Sequence, residues 1–318
     1  MSIQFEFLTK QYRKGPPALS ALSLEIPAGC AFALMGQNGA GKTTAIQLLL
    51  DLLAPTGGGA RIFNTPSPRL RPEHRQRIGY VSENQHLPDW MRVDEFVRFL
   101  KPMYPAWDDV LTARLLKMFD LPMRQKLGTL SRGQRMKASV LGALCYKPDV
   151  LILDEPFSGL DAVIREDLLD ALVEFLSEGR RTLLLSSHDM NEVERLADTI
   201  GILEKGGLGL QGPVDELLGQ AREVSFLTSA SNAASPVPPP PADWWNVVAR
   251  SGGVTFTAQN GADESALAAA IRQCWPDAHS FNFRAPGLTR LYVDYLRRHD
   301  AAAGSDSVGI STPSAPAV

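Results

Sequence analysis

Eight residues near the start of the chain have the types and spacing to cradle a phosphate cluster. Gly36-Gln37-Asn38-Gly39-Ala40-Gly41-Lys42-Thr43 matches G-x-x-x-x-G-K-[ST]. Gly36, Gly39 and Gly41 allow the loop to curl until successive backbone N–H groups point at one centre. Asn38 within the loop and Thr44 just after it count with it as nucleotide-binding positions. Lys42 can place a point charge on the β and γ phosphates, and the Thr43 hydroxyl can ligate Mg²⁺. Far downstream, the apolar run Val150-Leu151-Ile152-Leu153 ends in two carboxylates, Asp154-Glu155. A carboxylate at the C-terminal end of a buried strand can hold Mg²⁺ beside such a loop, the role that fits Asp154. Glu155, one step further, is expected to point to the opposite side and polarise an attacking water. Between the two groups, Ser131-Arg132-Gly133-Gln134 opens a helix and offers a second anion-binding N-terminus.

These residues need strands and helices to position them. Residues 31–35 read as a strand running into the loop. Residues 43–53 read as a helix, with Ile46, Leu49, Leu50 and Leu53 on one face, stopped by Pro55 and the glycines at 57–59. Residues 78–81 form a short strand. A helical pattern over 93–121 is broken by Pro102 and Pro105, and 131–145 is helical with Met136, Val140 and Leu144 in register. The continuous apolar run at 150–153 predicts a strand buried on both faces of a parallel sheet. A helix over 164–177, a strand over 182–186 and a helix from about Asp189 follow, and this alternation argues for an α/β sheet.

The composition shifts near Ser229. Residues 229–242 carry Pro236 and the run of prolines at 238–241, which predicts a linker of polyproline character. Beyond it a small second domain is expected, with a strand at Val254 and Phe256 and helices over 267–275 and 288–296. Residues 301–318 are Ala, Gly, Ser and Pro with few large apolar groups, which predicts disorder. The expected division is thus 1–222, 223–300 and 301–318.

The chain has 318 residues and is 44% hydrophobic, enough for a sizeable core. A formal net charge of −3 gives no reason to expect nucleic acid as a partner. No apolar run reaches the length of a membrane span, and residues 1–10 alternate like a strand rather than a signal peptide. The three cysteines, Cys30, Cys145 and Cys274, form no C-x-x-C pair; Cys145 is expected to be a small buried hydrophobe.

The order of phosphate loop, Leu130-Ser131-Arg132-Gly133-Gln134 and Asp154-Glu155 resembles the ATP-binding subunit of bacterial ABC transporters. The resemblance covers about 1–220 and implies a P-loop NTPase sheet core with a helical insert at about 85–145, plus a small C-terminal α+β domain. It implies ATP and Mg²⁺ as ligands and ATP hydrolysis between two subunits. In that family the signature of one subunit closes over the nucleotide of the other, which casts Ser131, Gly133 and Gln134 as contacts made in a head-to-tail dimer. Tyr12 corresponds to an aromatic ring that stacks on adenine, Ser158-Gly159-Leu160-Asp161 resembles the loop crossing the dimer interface, and His188 resembles the switch histidine that reaches the γ-phosphate. Two positions depart from the pattern. Arg132 stands where Gly is common. Glu83 stands where the family usually has a Gln bridging Mg²⁺ and the transmembrane partner; Gln85 lies two residues later, and either could reach the metal.

The resemblance further implies a separate transmembrane permease subunit as partner, a second ATP-binding subunit in a homodimer, and a cytoplasmic place on the inner face of the membrane. Similarity near the helical insert and the C-terminal appendage point to export of a drug, peptide or lipid. The alternative is an ABC-type ATPase with a role in translation or DNA repair. Those relatives usually carry two cassettes, a long coiled coil or zinc-binding cysteines, and this chain carries none of these.

Overall fold

The computed structural model describes residues 2–13, 15–229, 239–250, 252–259 and 263–305. The chain divides into two compact units, 1–213 and 214–318. The boundary lies before the expected one at 222, because the short helix that starts at Val214 packs with the second unit.

In the first unit the elements run β1 (Ile3–Lys10), β2 (Leu19–Ile26), β3 (Ala31–Met35), α1 (Lys42–Leu49), β4 (Gly57–Ile62), β5 (Thr65–Pro66), α2 (Pro72–Arg75) and β6 (Ile78–Ser82). Then come α3 (Val93–Leu100), α4 (Asp109–Met118), α5 (Arg132–Leu144), β7 (Val150–Asp154), α6 (Ala162–Ser177), β8 (Thr182–Ser187), α7 (Met190–Leu196), β9 (Thr199–Glu204) and β10 (Gly207–Pro213). One sheet has the order β10-β9-β3-β8-β7-β6, parallel from β9 to β6 with β10 antiparallel at its edge. A second, antiparallel sheet has the order β2-β1-β4-β5.

Period-two alternation explains why the central strands are apolar throughout. Leu151 and Leu153 of β7, with Leu183 and Leu185 of β8, face a core shared with α3 to α6. Val150, Ile152 and Leu184 face the other core, with α1 and the antiparallel sheet. Each strand therefore needs large apolar side chains on both faces. Cys145 joins the first core fully buried, and burial pushes its thiol up to about 12.

α1 ends at Leu49 rather than at Leu53. Asp51 adopts a left-handed backbone (φ 61°), and the Leu52 N–H turns back to Gln47 O at 2.8 Å. This closure satisfies the last carbonyls. Other helices begin where acids cap them: Asp108 accepts from Val110 and Leu111 N, Asp161 from Ile164 N, and Asp189 from Asn191 N.

The second unit contains α8 (Val214–Gln220), β11 (Arg222–Leu227), β12 (Trp244–Arg250), β13 (Gly253–Ala258), α9 (Glu264–Cys274), β14 (His279–Arg284) and α10 (Leu288–Ser305). Its antiparallel sheet has the order β12-β13-β11-β14. Trp244 stacks on Phe256 at 4.4 Å between ring centroids, and Phe226 and Trp275 extend the cluster under Leu267 and Ile271 of α9. α10 covers the other face, where Asp294 is fully buried. It pairs with Arg290 Nε at 2.8 Å and accepts from Asn246 Nδ2 at 2.9 Å and from Thr257 Oγ1.

The expected linker at 229–242 falls mostly outside the described residues, as does 306–318 of the expected disordered tail. Residues 301–305 belong to α10 rather than to a disordered segment; three successive alanines favour helix there.

Candidate nucleotide-binding site

Strand order gathers the chemistry. In the register of the parallel sheet, Asp154 pairs with Ser82 on one side and Ser186 on the other, and Met35 pairs with Ser187. The C-terminal ends of β3, β6, β7 and β8 thus lie side by side, where open α/β sheets bind ligands. The loop after β3 passes into α1 there. Gly41 has φ 110°, and a Cβ on it would lie 2.5 Å from Ala18 O, so only glycine fits. Gln37 to Thr44 line a cavity of about 210 Å³ together with Ala18, Glu83 and Glu155.

Within it, Lys42 is 5% exposed. Its ammonium donates to Gly36 O at 2.6 Å and pairs with Glu155 Oε1 at 3.1 Å. The other Glu155 oxygen lies 2.8 Å from His188 Nδ1. Glu155 does not point to the opposite side, as strand alternation suggested. It follows the last residue of β7 in a left-handed backbone (φ 50°), and its N–H is held by Ser186 Oγ at 3.0 Å. Alternation no longer applies beyond the strand, and the turn swings the carboxylate to Lys42 and His188.

Asp154 is 4% exposed and accepts from Ser186 Oγ at 2.6 Å and Thr43 Oγ1 at 3.1 Å. Burial pushes its carboxyl above the ordinary range; the two hydroxyls pull it back, Glu155 raises it further, and Lys42 lowers it. No cation forms an ion pair with Asp154 among the described residues. A buried, under-compensated carboxylate beside a hydroxyl is a donor set of hard oxygens, and it suits Mg²⁺.

The structure separates Glu83 from Gln85. Glu83 N–H donates to Asp154 O at 2.9 Å, and the residue borders both the phosphate-loop cavity and a neighbouring one. Gln85 folds back, its Oε1 accepting from Ser82 N at 3.4 Å, and it lines a neighbouring cavity with Arg132 and Arg135.

At the start of α5, Ser131 and Gln134 form a reciprocal cap: Gln134 N donates to Ser131 Oγ at 3.2 Å, and Ser131 N to Gln134 Oε1 at 3.0 Å. Gly133 is buried, and a Cβ there would meet the Ile164 δ-methyl at 2.1 Å, so α5 packs closely on α6 and a larger residue would have to displace that side chain. Tyr12 is 45% exposed on the loop after β1, with Lys10 Nζ at 5.3 Å from its ring, and it does not line the cavity. Sequence reasoning missed Ser186, which fixes both Asp154 and the Glu155 backbone. Its only signal was its place at the end of an apolar strand.

A parallel sheet with this loop, two acids at the end of β7 and a histidine after β8 defines a nucleotide-binding α/β fold. The ABC transporter family profile matches residues 19–158. The ABC transporter ATP-binding protein YtrB of Bacillus subtilis is 30% identical over 64% of this chain and 69% of its own length. The bacitracin transport ATP-binding protein BcrA of Enterococcus faecalis is 30% identical over 68% of this chain and 70% of its own. Among solved structures, a dimeric ATP-binding cassette in a post-hydrolysis state, bound to ADP and Pi, superposes with a TM-score of 0.60 at 25% identity, covering 66% of this chain and 98% of that one. The chain belongs to the ABC transporter ATP-binding proteins, a family of ATPases, and has their P-loop NTPase fold. It spans about two thirds of the length of the curated relatives it matches. No helix among the described residues is long and apolar enough to cross a membrane.

Proposed function

We propose that this chain is the ATP-hydrolysing subunit of an exporter: two copies close around ATP and drive a separate transmembrane permease. The observation that carries this reading is the contact chain Lys42–Glu155–His188 beside Thr43–Asp154, all at the C-terminal ends of the central strands.

In this reading the loop N–H groups and Lys42 hold the triphosphate. The phosphates compete with Glu155 for the Lys42 ammonium, so binding frees one Glu155 oxygen to orient the attacking water as general base. His188 keeps the other oxygen in place and reaches towards the γ-phosphate. Thr43, Asp154 and Glu83 are the residues that would hold Mg²⁺, which when bound neutralises charge on the β and γ oxygens. Tyr12 is assigned to the adenine, and Ser131, Gly133 and Gln134 to the nucleotide of the other copy. Closure does work on the permease because the nucleotide prefers one state.

Export is supported by relatives named for bacitracin transport and Nod factor export, and it points to an amphiphilic cargo such as a drug, peptide or lipid. The permease would keep the chain at the inner face of the membrane.

The test is complementation. Ser131→Arg blocks the shared contact, and Lys42→Ala weakens nucleotide binding; each alone is expected to abolish turnover. Mixed dimers hold one site built from an intact Lys42 loop and an intact Ser131 segment of different chains. ATPase activity, read with the permease present, should therefore reappear at intermediate mixing ratios. If it stays absent at every ratio and mixed dimers trap no nucleotide, the shared site is refuted.

A further inference from the structure

Both positions where the chain departs from its family's pattern carry a charge, and the structure joins them. Arg132 Nη2 donates to Glu83 Oε1 at 2.8 Å. The same guanidinium lies over the turn between β7 and α6, since a Cβ on Gly159 would come within 2.7 Å of its Nη1. One side chain of the signature segment therefore touches the residue after β6 and the loop after β7.

Glu83 also lines the phosphate-loop cavity, with Glu155 and Lys42. Lys42 is engaged by Glu155, so it gives Glu83 no dedicated counter-charge. Arg132 does not line that cavity; it reaches Glu83 from the neighbouring one. A polyanion entering the cavity approaches Glu83, and an uncompensated carboxylate at its border repels it, less strongly than a buried charge would because Glu83 and Arg132 are part-exposed. A guanidinium is suited to this task because it stays charged and holds a carboxylate in fixed geometry.

We propose that Arg132 and Glu83 are a coupled pair of positioning residues, in which Arg132 neutralises Glu83 and holds it so that the cavity accepts a triphosphate. This rests on the reading of the cavity as the ATP site. Two consequences follow. The guanidinium matters most when no divalent cation is present to take over the Glu83 charge. And the two departures compensate each other: removing Arg132 is harmful only while Glu83 remains acidic.

The experiment is a double-mutant cycle on equilibrium binding of a fluorescent ATP analogue, with EDTA and again with Mg²⁺. Arg132→Gly is expected to bind about fivefold more weakly than wild type in EDTA and within about twofold of it in Mg²⁺. Arg132→Lys, which keeps the charge, should stay near wild type in both. Glu83→Gln with Arg132→Gly should recover wild-type affinity in EDTA. Thermal unfolding of each variant checks that the fold is kept, and a merely structural role for Arg132 would move both binding conditions alike. Equal losses with and without Mg²⁺, or no recovery in the double variant, would overturn the pair while leaving the ATP site standing. A wild-type chain that binds no ATP would overturn the site itself and the pair with it.

Discussion

Each of the two units buries an aspartate, and the surroundings of the two differ. Asp294, in the second unit, is fully buried against Arg290, Asn246 and Thr257. Its charge is met by a guanidinium and its lone pairs by two further donors, so nothing remains for it to bind. Asp154, in the first unit, has almost the same burial but receives only two hydroxyls, and burial pushes its carboxyl up. A saturated buried carboxylate holds a fold together; an under-compensated one leaves charge for a cation to meet, the role proposed for Asp154. The difference separates structural from functional charge without reference to any relative.

Substitutions can break that contrast or sharpen it. The largest effect is expected at Asp294. Replacing it with Ala leaves the buried Thr257 hydroxyl and the Asn246 amide without their acceptor, which should destabilise the second unit by about 3 kcal/mol. Denaturant unfolding followed by tryptophan fluorescence would report it, since Trp244 and Trp275 lie in that unit's core. An unchanged midpoint would show that the network contributes little.

Next is Glu155→Gln, which keeps shape but removes the carboxylate proposed as base. Turnover should fall by about 10²-fold or more while ATP binding survives. Phosphate release at saturating ATP measures it, and a wild-type rate would remove Glu155 from catalysis.

Asp154→Asn should have the opposite sign to Asp294→Ala in stability. The amide keeps an oxygen for Thr43 and Ser186 but sheds the buried charge, so stability should rise by about 2 kcal/mol. Mg²⁺-dependent turnover should be lost at the same time. A destabilised Asp154→Asn would mean the carboxylate is already compensated.

The smallest effect concerns Glu192, buried beside the histidine turn and bonded to Ser187 Oγ at 2.6 Å. Burial pushes its carboxyl up to about 7. A folded-state pKa above the unfolded one means the proton is held more tightly when folded. That contribution to stability is complete below the unfolded pKa and is lost as pH rises through about 7. Between pH 5 and pH 8 the wild type should therefore lose about 1–2 kcal/mol relative to Glu192→Gln. Parallel melting curves of the two proteins across that range would refute it.

The second unit shows how far a local pattern carries. Its strand at Val254 and Phe256 and both later helices were legible from periodicity. β12 and β14 were not: Trp244–Arg250 and His279–Arg284 break clean alternation, and β14 pairs with β11, far back in the chain. α1 ended early for a reason residing in one residue, since Asp51 in a left-handed backbone stops a helix that apolar spacing would have continued.

From its residues alone the chain determined the phosphate loop, the acids after the apolar strand and the caps of its helices. Each of these depends on neighbours a few positions away and on backbone geometry that local residue types dictate. Tertiary structure alone decided that Glu155 turns to Lys42 and His188, that Ser186 holds Asp154, that Glu83 and not Gln85 borders the loop, and that Gly133 packs closely against Ile164. The strands follow one another in the chain as β3, β6, β7, β8 but stand in the sheet as β3, β8, β7, β6. Which side chains meet at their ends is set by that order and its register, and sequence spacing does not record either.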